Sequence, residues 1–262
     1  MASMSSELRL RVISGLVLAF IAFAEVWVGG WLFAVFVSAM AFIVFLEWTA
    51  IIGLNAFETT RFRVSVLMLL PLLVLVFFGT FPAIIGVCVG AVIAYLVTLK
   101  CTKETASWTA FATLYCGSSA IALVGLRDSE HGIAAILLLF AIVWGTDIGA
   151  YFIGRKLGGP KLAPKISPGK TRSGAVGGLL IAAMSALVIA MLTDVLNPLP
   201  AFLIALVISI ISQLGDLFES FLKRRFNVKD SGAIIPGHGG MFDRVDGLMP
   251  AAIALFMIFT LT

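Results

Sequence analysis

QLGDLFESFLKRRFNVKDSGAIIPGHGGMFDRVDG, residues 213–247, closes a long apolar run with a dense set of acids, bases, glycines and a histidine. Asp216, Glu219, Ser220 and Lys223 stand at i, i+3, i+4 and i+7, so the spacing predicts one polar face on an otherwise apolar helix. From Lys229 to Asp246 the chain reads as a loop, with Gly237, Gly239 and Gly240, a proline, and the acids Asp243 and Asp246. Carboxylates at a helix end that face carboxylates on a returning loop can hold a hard divalent cation. The glycines allow close backbone approach, and Lys223, Arg224, Arg225, Lys229 and Arg244 supply positive charge for phosphates. Together these residue types point to metal-assisted phosphoryl or nucleotidyl chemistry.

The surrounding chain is apolar. Of its 262 residues 61% are hydrophobic and 12% charged, about half the share usual in a soluble domain. The expected fold is therefore all-α: a polytopic integral membrane protein with nine transmembrane helices. They cover residues 12–28, 31–52, 64–79, 81–99, 107–126, 132–154, 173–193, 198–222 and 248–262. The chain reads as one membrane domain, 1–262, with less informative helices in 1–126 and a catalytic half in 132–262. Arg9, Arg11 and Ala22-Phe23-Ala24 imitate a cleavable leader, but the apolar run continues to Val28 and reads as a retained span.

Of the 18 Lys and Arg, 17 fall at the amino end or in alternate connections, and only Arg127 lies in the other set. The positive-inside rule then puts the amino terminus and the large loops in the cytoplasm, the active site on that side and the carboxyl terminus outside. The net charge of +4 is thus a topology signal and not a nucleic-acid signal. Cys88, Cys101 and Cys116 lie in or beside apolar runs without pairing spacing, which argues against a disulfide or metal framework. There is no GxxxxGK[ST] loop.

Acids inside spans call for an account. Glu25 lies near the outer end of the first span, within reach of water. Glu47, beside Trp48, reads equally well as an interfacial acid with an aromatic anchor or as part of a polar cavity wall. Asp147 stands about two turns from a basic loop, among Gly145, Gly149 and Ala150, which permit close helix packing but do not explain a carboxylate. The loop 154–172 holds six cations. Its Ser167-Pro-Gly-Lys170-Thr171 core, just before a span, suits a phosphate contact helped by the helix amino end.

The run Ser220–Asp246, SFLKRRFNVKDSGAIIPGHGGMFDRVD, resembles the signature of the phosphatidate cytidylyltransferase (CDP-diacylglycerol synthase) family. Upstream, Asp147 with Gly149-Ala150-Tyr151-Phe152 and Gly154, Ser167–Thr171, and Gly215-Asp216 resemble further family elements in family order. The resemblance implies a nucleotidyltransferase of phospholipid biosynthesis, in which CTP and phosphatidate give CDP-diacylglycerol and pyrophosphate with Mg²⁺, with room for a second cation. Under it Asp216 and Asp243 are the main metal ligands, with Asp147 and Asp246 as further ones. Asp216, Asp243, Lys223, Arg224, His238 and Asp246 form the catalytic set. Ser167, Lys170, Thr171, Ser220, Lys229, Asp230 and Arg244 hold substrate. The lipid bilayer is a partner, nucleic acid is not, and a homodimer is compatible; the compact size and the absence of organelle-targeting extensions lead us to expect a bacterial inner (plasma) membrane. Two other readings compete: a CTP-using lipid-alcohol kinase, which would need a base for the alcohol, and a cation transporter with Asp147, Asp216 and Glu219 as its ion path.

Overall fold

The computed structural model describes residues 2–193, 195–235 and 239–261, with side chains from residue 13 onward. In chain order the helices are α1 (Ala2–Val28), α2 (Gly30–Ile51), α3 (Glu58–Phe78), α4 (Thr80–Thr98), α5 (Lys103–Arg127), α6 (Gly132–Leu157), α7 (Arg172–Leu192), α8 (Pro198–Arg225), the four-residue α9 (Phe242–Val245) and α10 (Leu248–Leu261). Seven of the described helices are long and apolar enough to cross a membrane; Ile13–Val28 and Leu248–Leu261 are shorter apolar stretches. Each expected span falls on one helix, and α6 and α8 run on past their apolar parts to Leu157 and Arg225. Phe77, Phe78 and Phe81 are 73%, 73% and 75% exposed, as side chains that face lipid rather than water would be. The protein is an all-α polytopic membrane protein.

The chain forms two compact units, Met1–Val124 with Phe226–Val245, and Gly125–Arg225 with Asp246–Thr262. In the first, α2 packs on α1 and α3, α3 on α4, and the short α9 returns to α2. Its aromatic core centres on the fully buried Trp48, stacked on Phe242 at 5.4 Å between centroids and edge-on to Phe111 at 5.7 Å. These rings bury large apolar areas and fix where α9 lands.

In the second unit α6, α7 and α8 pack side by side, with α10 against α8 and α6. Small residues set the α6–α7 distance. A Cβ added at Gly149 would lie 2.7 Å from the Gly177 carbonyl oxygen, so only glycine permits this approach. Polar links fix the third helix. The buried Thr146 and Ser209 hydroxyls meet at 2.7 Å between α6 and α8, and Gln213 Nε2 donates to the Ala175 carbonyl of α7 at 3.3 Å. Gly149→Val is expected to lower the stability of the detergent-purified protein by about 1–3 kcal/mol through overpacking, read as a lower melting temperature.

The loop before α7 is more ordered than a turn. Pro160, Pro164 and Pro168 exclude a helix there. Instead β1 (Lys161–Ala163) pairs antiparallel with β2 (Ser167–Thr171), closed by a turn in which Ile166 N donates to Ala163 O at 3.1 Å. Pro168 is tolerated because a two-stranded ribbon has only edge strands. Ser167-Pro-Gly therefore lies in strand, and the turn falls just before it.

Candidate active site

The hairpin and three helices of the second unit enclose a cavity of about 790 Å³, lined among others by Asp147, Lys170, Thr171, Gly174, Gln213 and Asp216. Each arrives for a local reason. Lys170 and Thr171 end strand β2, whose pairing with β1 carries them to the start of α7. Thr171 is the N-cap of α7, and its Oγ1 accepts from Gly174 N at 3.1 Å. Asp147 is exposed on α6, one residue after the Thr146–Ser209 link. Asp216 stands on α8 three residues past Gln213, whose bond to α7 sets the rotation of α8. Lys170 Nζ forms an ion pair with Asp216 Oδ2, and both side chains are only partly exposed.

Asp246, immediately before α10, belongs to the same unit. A Cβ at Gly215 would lie 2.5 Å from the Asp246 carbonyl oxygen, so the glycine preceding Asp216 admits this segment against α8. Burial pushes the Asp246 carboxyl above the ordinary carboxylate range and the Asp216 carboxylate pushes it further, while the Gly247 N–H, donating to Oδ1 at 2.7 Å, works the other way. Three carboxylates, Asp147, Asp216 and Asp246, thus act on one another beside the ammonium of Lys170. That donor set of hard oxygens with excess negative charge suits a cation such as Mg²⁺. Among the described residues, no three acids, histidines or cysteines already converge at ligating separations.

The other expected residues divide between the two units. Ser167 is half-buried on β2, and Ser220 is half-buried on α8. Lys223 pairs with the buried Glu219 one turn back, Nζ to Oε1 at 2.7 Å, so its charge is engaged within α8. Arg224 is exposed at the end of the same helix.

In the first unit, the chain leaves α8 through Asn227 at φ 57, the left-handed conformation that commonly ends a helix. Lys229, Asp230 and Arg244 are exposed there. Asp243 Oδ2 accepts from Ser231 N at 3.2 Å, Ser231 Oγ at 3.0 Å and Gly240 N at 2.9 Å. His238 lies outside the described residues. Ile235 and Gly239, on either side of it, are bridged, with Ile235 N donating to Gly239 O at 2.9 Å.

Sequence reasoning missed the partner of this loop. Glu47 of α2, 5% exposed, accepts from Met241 N at 2.8 Å on Oε1, and from Phe242 N at 2.8 Å and Ser231 Oγ at 3.1 Å on Oε2. The signal that was present is a carboxylate in an apolar span. No spacing rule connects it to residues almost 200 positions away.

The cavity's pairing of acids with a lysine and a helix amino end suits phosphate chemistry. Comparison with known proteins agrees. The model of the cytidylyltransferase family matches residues 9–262. A phosphatidate cytidylyltransferase of Brucella suis biovar 1 is 42% identical over 254 residues, covering 96% of this chain and 93% of that one. One from Bacillus subtilis is 39% identical over 166 residues, 61% of each chain, and one from Rickettsia bellii is 47% identical over 130 residues, 47% of this chain and 56% of that one. With the match running from residue 9 to the last residue, the chain belongs to the cytidylyltransferase family.

Proposed function

We propose that this protein is a phosphatidate cytidylyltransferase that works at the cytoplasmic face of a bacterial inner membrane, with nine spans, a cytoplasmic amino terminus and an outer carboxyl terminus. A phosphate oxygen of phosphatidate attacks the α-phosphorus of CTP, forming a new P–O bond. The bond from the α-phosphorus to the bridging oxygen breaks, and pyrophosphate leaves with that oxygen. The attacking oxygen is already ionised near neutral pH, so the site needs no strong general base. What it must overcome is repulsion between two anions.

The observation that carries this reading is the cavity in which Lys170 and the α7 amino end stand beside Asp216 and Asp147. Lys170 and the first N–H groups of α7 attract phosphate oxygens, and Thr171 keeps that helix end in place. Asp216, Asp147 and Asp246 are residues of the second unit that would hold Mg²⁺, with capacity for a second cation, and Asp243 of the first unit would serve as the other main ligand that the family resemblance implies. When bound, Mg²⁺ would neutralise charge on the phosphates as it builds during transfer. Lys170, paired here with Asp216 at the cavity wall, supplies an ammonium that would meet a substrate phosphate. Arg224, Lys229 and Arg244 add positive charge for the nucleotide or the lipid headgroup. A homodimer accords with this arrangement and is not required by it.

The test is pyrophosphate release by the detergent-purified protein given CTP, Mg²⁺ and phosphatidate, with diacylglycerol as control lipid. The expected result is pyrophosphate with phosphatidate alone, abolished by EDTA. CDP formed with diacylglycerol would mean a lipid kinase, and a folded protein inert to CTP with either lipid would bring back ion transport.

A further inference from the structure

We infer that Glu47 is a positioning residue for the reaction, a buried latch in α2 that holds the loop bearing Asp243 and Arg244 in its working conformation. The inference rests on the cytidylyltransferase reading only in assigning those two residues to the reaction. Three donors from two separate points of the loop, Ser231 and the Met241–Phe242 pair, converge on the two oxygens of one side chain. Glu47 therefore ties down the two ends of the segment that encloses Gly232–Gly240. Its grip on Met241 N, just before α9, and on Phe242 N, the first residue of α9, takes up amide groups at the start of that helix.

Neighbours reinforce the same geometry. Trp48, the next residue of α2, stacks on Phe242 with an interplanar angle of 17°, so consecutive side chains of α2 bind one loop residue by its amide and by its ring. Ser231 Oγ lies 3.1 Å from Glu47 Oε2 and 3.0 Å from Asp243 Oδ2, so the single proton of one hydroxyl is shared between the latch and the reaction carboxylate. Gly232 and Gly240 leave room for this. A Cβ at Gly232 would lie 2.6 Å from Glu47 Oε1, and one at Gly240 would lie 2.7 Å from both Glu47 oxygens. A side chain that merely filled space would not receive a donor on each oxygen, nor require two glycines around it. Acting through Asp243 and Arg244, Glu47 affects turnover without touching substrate.

The latch makes an ordering that packing would reverse. Glu47→Asp keeps two acceptor oxygens and the charge, drawn back by one methylene, whereas Glu47→Gln keeps the size but turns an amide NH₂ towards a backbone N–H. The expected result is a kcat about 100-fold below wild type for Glu47→Gln, with Glu47→Asp losing less. Hydrogen exchange of the substrate-free and metal-free protein supplies a second readout: the Met241 and Phe242 amides should exchange about tenfold faster in Glu47→Gln, with α6–α8 unchanged. Glu25→Gln, another acid-to-amide change in the same unit, should alter neither quantity.

Should Glu47→Gln fail to fold, Ser231→Ala leaves α2 intact and removes one donor, and it should still speed exchange at Met241 and Phe242. The inference is overturned if Glu47→Gln keeps a third or more of the wild-type rate, if it outperforms Glu47→Asp, or if neither variant changes exchange in the loop. A wild-type protein that releases no pyrophosphate would sink the reaction, while the exchange data would still decide the latch.

Discussion

Asp216→Asn is expected to cut pyrophosphate release from CTP and phosphatidate by about 10³-fold or more while the protein purifies and melts much as wild type does. Asp216 is where the polar contacts of the second unit meet. It takes the ammonium of Lys170, it presses on the Asp246 carboxyl, and it lines the cavity with Asp147. Asparagine keeps the shape and one acceptor oxygen but removes the charge. Three consequences follow together: Lys170 loses its counter-charge, the acid cluster loses its central member, and affinity for a divalent cation falls because a neutral oxygen replaces a carboxylate. The fold should survive because the α6–α7–α8 packing rests on the glycine seam and on the Thr146–Ser209 and Gln213–Ala175 links, none of which involves Asp216. Steady-state assay beside a melting curve checks both halves. If the variant keeps a tenth or more of wild-type turnover, Asp216 is not the central carboxylate.

The long apolar helices were legible because a bilayer demands them, and Leu, Ile, Val and Phe runs of that length have few other uses. Lys170 and Asp216 were legible as individuals, since a lysine beside a proline–glycine pair and an acid late in an apolar helix each violate their surroundings. That they form an ion pair was not, because the pairing depends on the β1–β2 ribbon, which is too short and proline-rich to show a strand period. Lys223 shows the opposite limit. The i, i+4 spacing with Glu219 was in plain view, yet Lys223 entered as charge for phosphate and as part of the resemblance's catalytic set, without the buried acid that the structure pairs it with. The amino-terminal half looked uninformative because Glu47 satisfies donors on the far side of the sequence. A buried carboxylate is as much a message as a motif, but its addressee is written only in three dimensions.

Asp243 carries the second large effect, and two substitutions separate the roles it combines. The sequence reading makes it a cation ligand; the structure gives its Oδ2 three donors from Ser231 and Gly240, so the same group also closes the loop. Each hydrogen bond to a charged acceptor is worth about 1.5–3 kcal/mol, and losing several at once should open the segment. Asp243→Ala removes charge and acceptor together, so turnover should vanish and amide exchange at Ser231 and Gly240 should rise. Asp243→Asn retains one oxygen that can face those donors. Exchange there should stay close to wild type, while turnover falls by about 10²–10³-fold because the charge is gone. A loop that remains protected in an inactive Asp243→Asn protein would show that the carboxylate's charge serves the reaction as well as the fold. If Asp243→Asn instead retains near-normal turnover, Asp243 is a loop anchor alone, and the cation must be held by Asp147, Asp216 and Asp246 without it.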